Sequence, residues 1–299
     1  MKVLLTGATG FVGGHLLRRL ISDGHTVRAL VREGGAKLSS PPGVETVAGD
    51  VVENIGLDQG MKGCDAVIHL VGIIAETRGA TFERVHHLGT RNVVEAAKRS
   101  GIGRFIQMSA LGARADGVAE YQVSKWKGEE AVRQSGIPFC ILRPSLIFGP
   151  GDGFVTQMLD VMRKAVLVRP VPGNGRPKFR PILIDDVAGC FSKALTTPAA
   201  TGNTIDLGGG EELTLNEVLA EIADWAGIRK PALHVPMPIM MTVAAVAQNV
   251  LPRPPVTTGQ LRMLREGSTC DPQPMMRIFS MQPAGFREGL RRYSPPSGR

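Results

Sequence analysis

A glycine-rich turn lies within the first thirteen residues and directly follows an apolar segment. Residues 3–6 read VLLT and residues 6–13 read TGATGFVG, which spaces three glycines as GxxGxxG. Gly7 predicts a tight turn, Gly10 a close approach of the backbone to a ligand, and Gly13 close packing of a helix on a strand. A helix that opens after such a turn presents unpaired N–H groups that attract an anion such as a pyrophosphate. The segment therefore predicts a strand, a ligand-binding turn and a helix, in that order.

Short aliphatic runs alternate with helical patterns through the first 150 residues, which is typical of parallel strands joined by crossover helices. The strands are apolar with little alternation, as in a sheet that helices cover on both faces. We therefore predict an α/β fold, a Rossmann-type doubly wound parallel sheet with a smaller C-terminal cap. The predicted strands are 3–6, 26–31, 44–48, 66–71, 104–109 and 139–142, and the predicted helices are 12–22, 82–100 and 121–134.

Proline becomes frequent after Pro144, so the chain there breaks into short elements. We expect residues 1–150 to form the dinucleotide-binding domain and residues 181–207 to return to it. Residues 151–299 are expected to form the smaller substrate-binding cap.

The end of the second predicted strand indicates which dinucleotide is bound. An NAD site usually places Asp or Glu there, whereas this chain has Val31 followed by Arg32, with Lys37 nearby. A guanidinium suits a 2′-phosphate because its fork can bond two oxygens at once. NADP(H) is therefore the preferred cofactor; NAD(H) stays open, with Arg32 as an ordinary solvated charge. The other residues expected near the cofactor are Thr9, Phe11 and Val12 in the first turn, Asp50 and Val51 after the third strand, and Leu70, Val71 and Gly72 after the fourth.

Composition excludes several classes of function. The four cysteines are far apart with no metal-ligand spacing, which predicts neither disulfides nor a metal site and fits a reducing, cytoplasmic setting. The net charge is +8, but the basic residues are dispersed and only 5% of residues are aromatic, so no nucleic-acid partner is expected. Because the glycine turn follows the first residues at once, no signal peptide is expected. The longest apolar run, residues 239–247, predicts either a packed helix or an exposed face that docks on a membrane or a partner.

Several longer phrases carry a family resemblance. TGATGFVG, the GDV at residues 49–51, GTRNVVEAA at 89–97 and YQVSK at 121–125 resemble the extended and atypical short-chain dehydrogenase/reductases, over about residues 1–210. MSALGA at 108–113, LRPSLIFGPGD at 142–152 and LPRPPVTTGQLRML at 251–264 are similar to the NADPH-binding accessory subunits of respiratory complex I and their bacterial homologues. This resemblance leaves a respiratory-complex partner and a peripheral position at the inner membrane face open.

The resemblance implies three catalytic residues. Tyr121 would be the general acid or base, Lys125 would lower the pKa of Tyr121 and bond the nicotinamide ribose, and Ser109 would polarise a substrate carbonyl. The spacing of four residues places Tyr121 and Lys125 on one face of a helix. The chain departs from the family where His86 replaces the usual proton-relay asparagine, so His86 is either a relay or a helix histidine with ordinary hydrogen bonds.

Three functions follow from these observations. The first is an NADP(H)-dependent oxidoreductase or epimerase-like enzyme, favoured by Ser109, Tyr121 and Lys125 together. The second is an accessory or assembly protein that keeps NADPH as a structural ligand, and the third is an NADP(H) redox sensor. Quinone-related, lipid-like and sugar-nucleotide substrates all remain open.

Overall fold

The computed structural model describes residues 1–34, 43–251 and 254–295, so Lys37 lies outside the described residues. The strands are β1 Lys2–Thr6, β2 Thr26–Val31, β3 Val44–Ala48, β4 Ala66–His69, β5 Arg104–Met108, β6 Phe139–Pro144, β7 Ile147–Phe148, β8 Arg169–Pro172, β9 Lys178–Phe179, β10 Ile182–Leu183, β11 Asn203–Leu207, β12 Leu213–Thr214 and β13 Ala232–Val235. The helices are α1 Phe11–Ser22, α2 Leu57–Met61, α3 Gly89–Arg99, α4 Glu120–Arg133, α5 Phe154–Lys164, α6 Ile184–Ala194, α7 Leu215–Trp225, α8 Met237–Val250, α9 Thr258–Glu266, α10 Gln273–Phe279 and α11 Phe286–Arg291.

A seven-stranded sheet with the order β11-β6-β5-β4-β1-β2-β3 dominates the fold. Its neighbouring strands run parallel, with Thr6 of β1 opposite Leu30 of β2 on one side and His69 of β4 on the other. The strand order reverses between β1 and β4, and ligands of such sheets bind at the carboxyl ends of the strands beside this reversal.

Both faces of the sheet are covered. Val3, Leu4 and Leu5 are each 0% exposed although successive side chains of a strand point to opposite faces. One face packs on α2, α3 and α4 through a core that includes Val67, Val93, Phe105, Val132 and Ile141. The predicted doubly wound α/β fold is therefore confirmed.

The predicted helix 82–100 has an irregular first half. Glu83–Leu88 forms a π-helical turn before α3, and the Gly89 N–H bonds the carbonyl oxygen of Arg84, five residues earlier. Such a turn adds one residue to the helix and is often found at functional sites. Here it contains His86, which is 1% exposed.

The chain divides into two compact units. The first comprises Met1–Pro144, Asp185–Asp206 and Gln273–Met281, so α10 joins it as well as the segment around α6. The second comprises Ser145–Ile184, Leu207–Pro272 and Gln282–Arg299. The second unit has its own core, which includes Phe148, Leu159, Leu219 and Phe286.

Candidate functional site

The turn between β1 and α1 depends on glycine. Gly7 has a φ of +80°, and its carbonyl oxygen accepts a hydrogen bond of 3.1 Å from the Gly10 N–H. A Cβ on Gly13 would lie 2.1 Å from that same oxygen, and a Cβ on Gly7 would lie 3.2 Å from the backbone of Leu70 and Val71. The contact at Gly13 is too short for any side chain, and the contact at Gly7 is tight and adds to the strain that a side chain has at a φ of +80°.

The first turn of α1 is open to an outside ligand. Gly10 is the N-cap and supplies no side-chain cap, and no acidic residue occupies the first turn. Thr9 and Gly10 are exposed, Phe11 is half-buried and Val12 is buried. The turn therefore offers N–H groups and the positive end of the helix dipole to an anion, with no carboxylate to oppose it.

A cleft of about 510 Å³ lies at the ends of β2 and β3. Arg32, Glu33, Gly49, Asp50 and Glu53 are among the residues that line it. Asp50 is engaged in its own turn, since Oδ1 accepts hydrogen bonds from the N–H groups of Val52 (2.7 Å) and Glu53 (3.2 Å). Val51 is only 5% exposed and packs in the core, so its backbone rather than its side chain borders this region. The cleft thus contains the exposed Arg32 guanidinium together with the carboxylates of Glu33, Asp50 and Glu53, of which Asp50 is already hydrogen-bonded within its own turn.

The segment after β4 connects the glycine turn to the predicted catalytic residues. Leu70 is buried and Val71 half-buried, whereas Gly72 is exposed. A Cβ on Gly72 would lie 2.9 Å from Lys125 Nζ and 3.3 Å from His86 Nε2. The fold therefore places Gly72 directly against Lys125, although the two are more than fifty residues apart in the chain.

Helix α4 presents Lys125 beside the end of β5, while its Tyr121 meets the His86 ring edge to face with 5.4 Å between centroids. Lys125 is 3% exposed and donates a hydrogen bond of 3.2 Å to the carbonyl oxygen of Met108. Ser109, the next residue, is 4% exposed, and its hydroxyl has no hydrogen-bond partner among the described residues. A buried hydroxyl without a protein partner is uncommon in folded proteins and is available to bond a ligand or a water molecule.

Burial sets the protonation of both catalytic candidates. It raises the pKa of Tyr121 to about 12 and lowers the pKa of Lys125 to about 8, while Glu129 partly offsets the shift at Lys125. In this state Lys125 bonds Met108 and does not lower the pKa of Tyr121, which departs from the family expectation. At neutral pH Tyr121 is a neutral phenol and Lys125 is mainly a cation.

Both ring nitrogens of His86 are engaged. Nε2 accepts a hydrogen bond of 3.0 Å from the Ile73 N–H, and Nδ1 lies 2.8 Å from the Ser124 hydroxyl. The Ser124 hydroxyl donates to the Tyr121 carbonyl oxygen (2.9 Å), so the Nδ1–H of His86 must donate to Ser124. Burial and the nearby Lys125 charge lower the pKa of His86 to about 2. This geometry favours the second interpretation of His86, a helix histidine with satisfied hydrogen bonds.

A second buried histidine, which the sequence analysis did not single out, lies below the site. His69 Nδ1 is 2.7 Å from the Thr6 hydroxyl, and Nε2 is 3.2 Å from the Thr90 hydroxyl. Thr90 in turn donates to the carbonyl oxygen of His86 (2.6 Å). Burial, with a smaller effect of Lys125, lowers the pKa of His69 to about 3. The chain of bonds links β1, β4, α3 and the π-helical turn.

Sequence reasoning also missed two residues that shape the site. Phe82 stacks on the His86 ring with 5.5 Å between centroids and meets Tyr121 edge to face at 5.8 Å. Asn92 donates to the carbonyl oxygens of Val51 (2.9 Å) and Val52 (3.2 Å), which holds the turn after β3. Asn92 lies within the GTRNVVEAA phrase at 89–97, but its contact with the turn after β3 and the contact of Phe82 with Tyr121 join segments that are distant in the chain.

Comparison with known proteins shows the fold and the family of this chain. A ceramide reductase of Caulobacter vibrioides is 31% identical over 82% of this chain and 76% of that protein. The mitochondrial NADH dehydrogenase (ubiquinone) 1 alpha subcomplex subunit 9 of Arabidopsis thaliana is 30% identical over 80% of this chain and 61% of that protein. The crystal structure of gox2253 superposes with a TM-score of 0.77 at 24% identity, covering 96% of this chain and 95% of that one.

The sequence profile for the NAD dependent epimerase/dehydratase family matches residues 3–208. This range contains the glycine turn, the cleft beside Arg32 and the three residues Ser109, Tyr121 and Lys125. The resemblance expected from the sequence motifs is confirmed. The chain belongs to the NAD dependent epimerase/dehydratase family.

Proposed function

We propose that this chain is an NADP(H)-dependent oxidoreductase that interconverts a ketone and an alcohol on a long-chain lipid. The unpartnered, buried hydroxyl of Ser109 carries the proposal, because it sits beside the Met108 carbonyl that Lys125 bonds. The lipid class is suggested by the similarity to a ceramide reductase. When bound, the nicotinamide cofactor would supply or accept the hydride.

The residues around the glycine turn fit a dinucleotide. The uncapped first turn of α1 would bind the diphosphate, and the exposed Gly10 places no side chain in its way. The cleft at Arg32 would take the adenosine end. Gly72 and Lys125 would border the nicotinamide end, where a Cβ at Gly72 would already crowd Nζ.

The polar groups of the site suit the reduction of a carbonyl. The Ser109 hydroxyl would donate a hydrogen bond to the substrate oxygen and so polarise the carbonyl. Tyr121, with its pKa raised to about 12, is protonated at neutral pH and can transfer a proton to that oxygen as negative charge develops there. The Lys125 cation, which is nearly buried, would stabilise the same charge.

Cofactor preference is tested by calorimetry with NADPH and NADH. Binding of NADPH is expected to be tighter, and Arg32→Ala should weaken it by about ten- to a hundredfold, the effect of one charge-assisted hydrogen-bonded pair, without changing NADH affinity. The control is Arg18→Ala, which removes another exposed arginine, on α1. Equal affinity of the wild type for both cofactors would contradict the assignment.

Turnover is tested by following NADPH oxidation with a 3-oxoceramide as substrate. Tyr121→Phe should lower the rate by about a hundredfold or more, as loss of a general acid does, while NADPH still binds. The chain has only two tyrosines. Tyr293→Phe is therefore the matched control and should leave the rate unchanged; a Tyr121→Phe enzyme as fast as this control would remove Tyr121 from the mechanism.

A second candidate is an accessory protein that holds NADPH as a structural ligand. The similarity to a respiratory-complex subunit favours it. This function predicts tight NADPH binding with no oxidation by the oxo-lipid. The two measurements above therefore separate the candidates.

A further inference from the structure

Exposed apolar side chains are concentrated in the second unit. Among the described residues thirteen large apolar side chains are exposed, and nine of these lie in two segments, residues 161–167 and 233–251. The nine are Val161, Val166, Leu167, Leu233, Ile239, Val243, Val246, Val250 and Leu251. Single exposed apolar side chains are normal on a protein surface, but nine of them in two short segments require an explanation.

Helix α8 contributes most of them. Ile239, Val243, Val246 and Val250 are 55%, 62%, 58% and 71% exposed, and their spacing places them along one face of the helix. Only Ala244 of this helix is buried. The helix contains no charged residue, so neither ion pairs nor core packing account for its surface. Of the two interpretations of the run at 239–247, the structure agrees with the exposed face.

The two apolar segments meet through a short sheet. β13 pairs in parallel with β8, which sets Ala232 opposite Arg169. Lys230 holds the segment before β13 against the end of α5, because its Nζ donates to the carbonyl oxygens of Met162 (2.9 Å) and Ala165 (2.6 Å). We call residues 161–167 and 229–251 together the basic apolar face.

The two stretches that form this face are basic, and the nearest acidic residues, which include the exposed Asp160 and Asp224, lie just outside them. Residues 161–184 contain six lysines and arginines, residues 225–265 contain five, and neither stretch contains an aspartate or glutamate. Lys178 and Arg180 pair with Glu212, but Lys164 and Arg229 are exposed. The face therefore combines uncharged apolar side chains with positive charge at its borders.

We infer that the basic apolar face docks on the surface of an anionic lipid bilayer. Apolar side chains on one side of an uncharged helix enter the boundary between headgroups and acyl chains, while nearby Lys and Arg side chains are attracted to anionic headgroups. None of the described helices has both the length and the apolar content needed to span a bilayer. The inference concerns attachment, and vesicle binding tests it independently of the proposed reductase activity.

The experiment sediments the full chain with vesicles of phosphatidylcholine alone and of phosphatidylcholine with phosphatidylglycerol. Binding is expected on the anionic vesicles and should weaken when salt is raised from about 0.01 M to about 0.15 M, which shortens the Debye length from about 30 Å to about 8 Å. Val243→Glu should lower the partition coefficient by about tenfold or more. Val118→Glu, the same change at another exposed valine, should have no effect.

The charges are tested separately. Lys164→Gln combined with Arg229→Gln should lower binding to anionic vesicles by about tenfold or more, since each cation near such a surface contributes to attraction. Arg18→Gln with Lys62→Gln removes two exposed charges from the first unit and should leave binding unchanged. Equal binding to both vesicle types, or wild-type binding by Val243→Glu, would overturn the inference. So would a dimer in solution that Val243→Glu dissociates while the wild type binds no vesicles, because the face would then belong to a second copy.

Discussion

Helices α4 and α8 are both fourteen residues long, and they distribute polarity in opposite ways. The buried residues of α4 include Gln122, Ser124, Lys125 and Glu129, whereas α8 has no charged residue, buries only Ala244 and exposes most of its side chains. Polar groups in α4 are buried where the sheet and the π-helical turn before α3 supply partners for them. Apolar groups in α8 stay exposed because no described segment of the second unit covers them.

Glu129 shows how α4 keeps a charge inside. It is 0% exposed and bonds Arg143 of β6 through both oxygens, with Nε to Oε1 at 2.7 Å and Nη2 to Oε2 at 2.6 Å. It also pairs with Arg133 at 2.7 Å. The helix is thereby attached to the strand that borders the site.

The largest change in the free energy of unfolding should come from removing the Glu129 carboxylate. Glu129→Ala leaves Arg143 half-buried without its main partner and should lower the free energy of unfolding by about 3 kcal/mol. Urea unfolding measures the change. Glu130→Ala, at the adjacent and more exposed carboxylate that pairs with Arg133, should lower it by less than about 1 kcal/mol. Equal losses of unfolding free energy in Glu129→Ala and Glu130→Ala would mean that burial does not strengthen the ion pairs of Glu129.

The second-largest effect should come from acid, acting on the buried histidines His69 and His86. The pKa values of His69 and His86 are lowered to about 3 and about 2, mainly by burial, whereas the unfolded chain titrates near the ordinary histidine value of 6.5. Between these values the unfolded state binds more protons, so stability is full above pH 6.5 and falls as the pH decreases.

The two histidines together should lower the free energy of unfolding by about 2–3 kcal/mol between pH 7.5 and pH 5.5. Urea unfolding across this range checks it. The double variant His69→Asn with His86→Asn should flatten this part of the profile relative to the control His87→Asn, which changes a more exposed neighbour. An unchanged slope in the double variant would assign the acid sensitivity to other groups.

The smallest effects compare one substitution in the two helices. Val132→Ala in α4 removes two methyl groups from a side chain that is 0% exposed and should lower the free energy of unfolding by about 2 kcal/mol through the cavity that forms. Val243→Ala in α8 should change it by less than about 0.5 kcal/mol, because the side chain is 62% exposed. Thermal or urea unfolding of both variants measures the difference. A loss at Val243 as large as that at Val132 would show that α8 is packed.

The sequence alone determined the strand, turn and helix at residues 2–22, the doubly wound sheet and the family. These follow from glycine spacing and apolar periodicity, which act over a few residues and leave few alternatives. The position of Arg32 at the end of β2 was equally readable, since strand ends are local features. That Tyr121 and Lys125 share a helix face also follows from a local feature, their spacing of four residues.

Only the tertiary structure decided which side chains are buried and what they bond. His86 bonds Ser124, 38 residues away, and Thr6 bonds His69, 63 residues away. The same apolar run at 239–247 is compatible with a core helix or a surface helix, and its exposure depends on what the rest of the chain places against it. Hydrogen-bond partners and burial arise from segments that meet only when the chain folds, so local patterns cannot specify them.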